Sequence, residues 1–162
     1  MKTRKTVLSA VLAAVVFVLT RFVSVPSMTA VGNVNLGDCA VLLSAWILPP
    51  QYALPAAGIG SALADLLSPF AVYTLPTFLI KGGMAVAACI IFSKLKAKTL
   101  GLILSRVTAE LIMIAGYFVF EGIFICGWAT ALLNIPFNAV QGVAGLISGV
   151  ILYSAIHKYI KR

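Results

Sequence analysis

Long apolar runs, broken mainly where lysine and arginine cluster, constrain this chain more than any other feature. Hydrophobic residues make up 62% of its 162 residues and charged residues only 10%, far from the averages of soluble domains. Such a chain must bury its apolar surface in lipid, and the length predicts a single membrane domain over residues 1–162.

Set against a hydrocarbon core of about 30 Å, the runs predict an all-α integral membrane protein. Six transmembrane helices form one bundle, at roughly 5–24, 36–49, 51–68, 75–94, 99–126 and 131–159. The start of the chain has the basic residues and short apolar core of a signal peptide, but the run continues through Phe22 and Val23 and is read as the first span. Pro49-Pro50 removes two backbone donors and predicts a tight turn between the second and third helices. Residues 25–37 (VPSMTAVGNVNLG) are the main non-helical stretch. No internal repeat is evident, so two inverted halves are not expected.

Nine of the twelve basic residues fall in three groups: Lys2, Arg4 and Lys5; Lys94, Lys96 and Lys98; Lys158, Lys161 and Arg162. With six spans all three share one side, so the positive-inside rule predicts cytoplasmic termini, an external loop at 25–37 and a multi-pass protein of the cell membrane. The net charge of +8 is therefore topological; no aromatic-interleaved basic stripe suits nucleic acid.

Several chemistries lack their residues. There is no phosphate-binding Gly-rich loop ending in Gly-Lys-Ser/Thr, so any energy for transport comes from another protein or an ion gradient. The sole histidine, His157, lies in the C-terminal basic end and reads as an interfacial residue. Cys39, Cys89 and Cys126 are far apart in apolar sequence and read as small hydrophobes. No catalytic constellation, metal site or cofactor is expected.

The four carboxylates, Asp38, Asp65, Glu110 and Glu121, all sit in or beside apolar runs, where an ionised group is expensive and marks a polar interior. On the fifth helix Arg106, Glu110, Met113, Tyr117 and Glu121 recur at steps of three or four and share a face. Arg106 and Glu110 are spaced for an ion pair, whereas Glu121 has no local partner and suits a pocket or gate, or solvation among headgroups. The sixth helix carries Asn134, Asn138 and Gln141 at the same spacing, as ligand contacts or as interhelical hydrogen bonds. Thr74, Thr77 and Lys81 share a face of the fourth helix, with Lys81 either snorkelling or pairing with a carboxylate from elsewhere. Asp38, just after Gly37, reads as a helix-start residue whose carboxylate accepts backbone N–H bonds. Asp65 is placed near the external rim. The polar groups concentrate in the external half, which predicts a pocket open outward. Ala10 and Ala14, small residues four apart on the first helix, permit close approach of another helix.

Four strings carry a resemblance: VNLGD at 34–38, GSALADLL at 60–67, TFLIKG at 77–82 and NIPFNAVQG at 134–142. Together they resemble the substrate-binding S component of energy-coupling factor (ECF) transporters of prokaryotes, in the riboflavin-transporter-like branch. The resemblance implies capture of a small water-soluble vitamin, with a transmembrane coupling subunit and two ATPase subunits as partners. It implies substrate contacts from Asn138 and Gln141, and packing of Ala10 and Ala14 against the coupling subunit. Position 141 is Gln where riboflavin binders carry lysine, and the GD and ADLL strings are closer to members assigned to pyridoxine or hydroxymethylpyrimidine. The expected pocket thus comprises Asn138, Gln141, Glu121, Tyr117, Lys81, Thr77, Asn35 and Asn134, for a pyridoxine-like or hydroxymethylpyrimidine-like ligand. A riboflavin binder and a stand-alone proton-coupled carrier using Glu110 or Glu121 are the alternatives.

Overall fold

A computed structural model describes residues 2–27, 33–95 and 98–160, with the side chains of 98, 99 and 157–160 outside the description. The roles expected of Lys96, Lys98, His157, Lys158, Lys161, Arg162 and the middle of the 25–37 loop lie outside the described residues.

Six α-helices follow the order α1 (Lys2–Phe22), α2 (Gly37–Ile47), α3 (Pro50–Leu66), α4 (Thr74–Leu95), α5 (Lys98–Phe120) and α6 (Gly127–Ile160). Pro49 caps α3 and Pro50 opens it, where a missing N–H costs nothing, so the Pro-Pro pair makes the expected tight turn. A single 3₁₀ turn, Ala71–Tyr73, leads into α4, and a π-helical turn, Glu121–Ile125, follows α5. Gly127, with φ +75°, then takes the left-handed conformation that lets the chain reverse into α6.

Two features differ from the sequence expectation. The loop at 25–37 contains an antiparallel pair, β1 (Ser24–Pro26) and β2 (Asn33–Asn35), in the register Ser24 opposite Asn35 and Pro26 opposite Asn33. Three-residue strands are too short for alternation to show. Among the described residues four helical segments have the length and apolar content of membrane spans, Lys2–Phe22, Ala71–Leu95, Leu100–Ile125 and Gly127–Ile156. The second and third helices, expected as spans, are shorter. The 11 residues of α2 reach only about 16 Å.

Helix α2 is the core rather than a wall. Gly37 through Trp46 are all buried, and α1, α3, α4 and α6 pack around it. A helix apolar all round is enclosed by its neighbours. At the C-terminal end of α2, Trp46 donates from Nε1 to Ser105 Oγ (3.1 Å) and stacks edge-on with Tyr153 (5.3 Å between centroids). The Arg106 guanidinium lies 5.5 Å from the same indole. This aromatic plug closes one end of the bundle.

α1 buries Ser9, Leu12, Val16 and Thr20 against α3 and α2, leaving Ala10 and Ala14 exposed. Gly60 makes the contact possible: a Cβ there would lie 2.5 Å from the Ala13 carbonyl oxygen and 2.8 Å from Val16 Cβ. Because the obstacle is backbone, Gly60→Ala must push the two helices apart. We expect it to destabilise the protein by about 1–3 kcal/mol, seen as a lower midpoint of thermal unfolding in detergent. An unchanged midpoint would show that the contact yields freely.

Candidate functional site

At the other end of the bundle from the plug, a cavity opens to solvent and contains about 540 Å³ of non-atom space, part of it continuous with bulk. The C-terminal end of α1, the β1–β2 pair, the end of α3, the start of α4, the end of α5 and the first half of α6 all contribute to its wall. α1 reaches it with Thr20, which is 18 residues and about 27 Å along the helix from Lys2. The basic groups at Lys2, Arg4, Lys5 and Lys94 therefore lie at the far end.

The structure brings all eight sequence-predicted pocket residues to this one cavity. Asn35, Thr77, Lys81 and Tyr117 line it together with Glu121, Asn134, Asn138 and Gln141. Its base is a buried polar chain. The Lys81 ammonium forms an ion pair with Asp38, both side chains being almost wholly excluded from solvent. Asp38 Oδ2 also accepts from Gln141 Nε2 (2.7 Å), and Gln141 Oε1 accepts from the Asn35 backbone N–H (2.9 Å). One ion pair thus fixes the glutamine, and the glutamine holds β2 against α6. The Lys81 ammonium also lies 5.6 Å from the centre of the Tyr117 ring, whose hydroxyl shares a hydrogen bond with Thr77 Oγ1 (3.0 Å).

Asp38 is accordingly not the helix cap expected of it. At the start of α2 the Gly37 N–H is taken by the Asn35 carboxamide oxygen (2.9 Å), and the Asp38 carboxylate turns inward because Lys81 and Gln141 offer stronger partners in a dry core. Glu110 and Arg106 also correct the expectation, since they do not pair. Arg106 Nε donates to the Leu102 carbonyl (2.8 Å), one turn back, and its guanidinium faces Trp46. Helical side chains lean toward the N-terminus, so a long cation at i reaches away from an acid at i+4. The Glu110 carboxyl instead packs on α6, and both its oxygens lack a hydrogen-bond partner among the described residues.

Glu121 finds the partners that the sequence did not display. Asn134 Nδ2 donates to Oε2 (2.8 Å) and the Tyr73 hydroxyl to Oε1 (3.3 Å), with the residue 3% exposed. The π-helical turn begins at Glu121, whose carbonyl accepts from the Cys126 N–H (3.0 Å). Such turns recur at functional positions in helices. Pro136 inside α6 leaves the Leu132 carbonyl without its usual intrahelical donor, beside Asn134, Phe137 and Asn138 in the cavity wall.

Sequence reasoning missed Thr20, Phe70, Tyr73 and Phe137, assigned the 25–37 loop to the pocket without singling out Ser27 and Asn33, and left Asp65 undecided; all seven line the cavity. Tyr73 carried a readable signal, since it extends the Thr77–Lys81 face by one more step of four.

Residues 1–158 match the family described as the S component of ECF-type riboflavin transporters. The chain belongs to this family. It is a membrane protein of the vitamin-uptake class, and S components of this kind work with membrane and ATPase components. Among relatives of this S component, a thiamine precursor transporter, HmpT, from Lactococcus lactis subsp. cremoris is 28% identical over 156 residues, 96% of this chain and 89% of that protein. An uncharacterised protein from Pyrococcus woesei is 32% identical over 134 residues, 83% of this chain and 88% of its own. A solved structure, reported under "Structure and mechanism of the S component of a bacterial ECF transporter", superposes over the whole of both chains with a TM-score of 0.74 at 22% identity, which shows the shared fold.

Proposed function

We propose that this S component captures a small hydroxymethylated heterocycle, a hydroxymethylpyrimidine-type thiamine precursor first and pyridoxine second, in the cavity between α1, α4, α5 and α6. The charge balance of the wall carries the reading. Lys81 is the one lysine or arginine in the wall and is neutralised by Asp38, while Glu121 and Asp65 face the cavity with no cation within ion-pair distance among the described residues. Such a wall favours a ligand rich in N–H donors and disfavours one bearing carboxylate or phosphate. An aminopyrimidine presents donors to Glu121 and a ring face to Tyr73, Tyr117 or Phe137. The likeness to HmpT supports the same choice.

Riboflavin is the second reading, favoured by the family's own description. Against it stands Gln141, whose amide is engaged by Asn35 and Asp38 and brings no cation to the wall.

Clustering of Lys2, Arg4, Lys5 and Lys94 at the far end supports cytoplasmic termini and a cavity facing outward. The exposed Ala10 and Ala14 on α1 support docking of a transmembrane coupling subunit there, with its two ATPases supplying the energy this chain lacks.

Calorimetric titration of the purified protein with hydroxymethylpyrimidine, pyridoxine and riboflavin tests the reading. We expect the pyrimidine to bind tightest and Asn138→Ala to weaken it about tenfold or more. Binding of riboflavin alone overturns the assignment, and an unchanged affinity in Asn138→Ala removes that residue from the contacts.

A further inference from the structure

Thr20 is the only residue that α1 contributes to the cavity wall, and its hydroxyl is in an unusual position. A hydroxyl on a helix ordinarily bonds a carbonyl three or four residues back. Thr6 and Ser148 do so here, to Lys2 and Ala144. Thr20 Oγ1 does not. It is buried, with the residue 4% exposed, and has no hydrogen-bond partner among the described residues. Space has been left for it: a Cβ on Gly37 would come within 2.1 Å of Thr20 Oγ1, so the hydroxyl rests directly against a backbone that has no side chain. The Asn35 carboxamide oxygen nearby already accepts from the Gly37 N–H (2.9 Å).

We propose that Thr20 is a specificity-determining residue whose Oγ1, packed against Gly37 in the ligand-free protein, turns about χ1 into the cavity and hydrogen-bonds the hydroxyl group of the captured vitamin precursor. The inference deepens the proposed function and rests on its reading of the cavity as the substrate site. A hydroxyl both donates and accepts, so a neutral ligand hydroxyl pairs with Thr20 whichever of the two supplies the proton. Glu121 is suited to a different group, because an anion held by Asn134 and Tyr73 offers further acceptor capacity and no proton. The two ends of a hydroxymethylated aminopyrimidine would thus be read by different helices: the amino edge by α5 and α6, the alcohol by α1. A buried polar group left unpaired when the alcohol is missing discriminates strongly against the analogue lacking it.

The test pairs two ligands with three proteins. Wild type, Thr20→Val and Thr20→Ser are titrated with hydroxymethylpyrimidine and with the analogue carrying methyl in place of hydroxymethyl. Thr20→Val is expected to bind the alcohol about five- to tenfold more weakly while binding the methyl analogue within about twofold of wild type. Thr20→Ser keeps most of the alcohol's affinity. Equal weakening of both ligands in Thr20→Val, or no weakening of either, overturns the proposal.

Thermal unfolding of the ligand-free proteins gives an independent reading. Valine should leave the midpoint unchanged or raise it, because it removes an unpaired hydroxyl; a fall in the midpoint that serine reverses would make Thr20 structural and also overturn it. If wild type binds riboflavin and neither pyrimidine, the substrate assignment fails by itself. Riboflavin against lumiflavin, which lacks the ribityl hydroxyls, then tests Thr20 with the same expected ratio.

Discussion

Asp38→Ala is expected to lower the stability of the ligand-free protein by about 3–5 kcal/mol. The carboxylate is wholly buried, forms the ion pair with Lys81, and accepts from Gln141 Nε2. Removing it strands an ammonium in the core, and the cost of that stranded charge exceeds the value of the contact itself. For a chain of this size the loss corresponds to a fall of roughly 6–20 °C in the unfolding midpoint, readable in detergent by any probe of helix content. Asp38→Asn keeps the volume and still leaves Lys81 without a counter-charge, so it should fall in the same direction. The double change Asp38→Leu with Lys81→Met removes both charges and should recover much of the loss, because an apolar pair of similar volume avoids desolvation altogether. If Asp38→Ala melts with wild type, the pair is not the buried anchor described here.

The same substitution should be felt at the cavity mouth. Gln141 loses the acceptor that orients its amide, and through it the bond from the Asn35 N–H that ties β2 to α6. Binding should therefore weaken in the double variant even where stability returns, which separates the role of the Asp38–Lys81 pair in shaping the cavity from its part in holding the bundle together.

The helices and much of the cavity were legible in the sequence because both depend on periodicity. Steps of three or four put Thr77 and Lys81 on one face of α4, Tyr117 and Glu121 on one face of α5, and Asn134, Asn138 and Gln141 on one face of α6; in a membrane those faces can only meet one another. Partner choice was not legible. Spacing along one helix suggested Arg106 with Glu110, but the pair that forms joins Asp38 of α2 to Lys81 of α4, 43 residues apart in the chain. Nor did hydropathy distinguish a helix surrounded by lipid from one surrounded by protein, so the burial of α2 on every side was not legible. Thr20 stayed hidden because one hydroxyl at the end of an apolar helix makes no pattern. It stands out only when the β1–β2 pair brings Gly37 against it.

Glu121→Gln is expected to weaken binding of hydroxymethylpyrimidine by about 10- to 100-fold while leaving the fold intact. A hydrogen bond to a charged group contributes about 1.5–3 kcal/mol, and each 1.4 kcal/mol is about tenfold in affinity. Glutamine has nearly the same shape and its carboxamide oxygen can still accept from Asn134 or Tyr73, so the change removes charge with little disturbance of packing. Tyr73→Phe is the control for the supporting contacts. It deletes one donor to Glu121, leaves the ring in place against Phe120 and Tyr117, and should cost binding only a few-fold. The ligand series sharpens the attribution: an analogue in which hydrogen replaces the exocyclic amino group should bind wild type and Glu121→Gln almost equally, because it lacks the donor that the carboxylate would meet. Equal weakening of both ligands would mean that Glu121 shapes the wall without touching the amino edge. No weakening of either would place the recognised edge elsewhere, with Asp65 as the other carboxylate of the wall that has no ion-pair partner among the described residues.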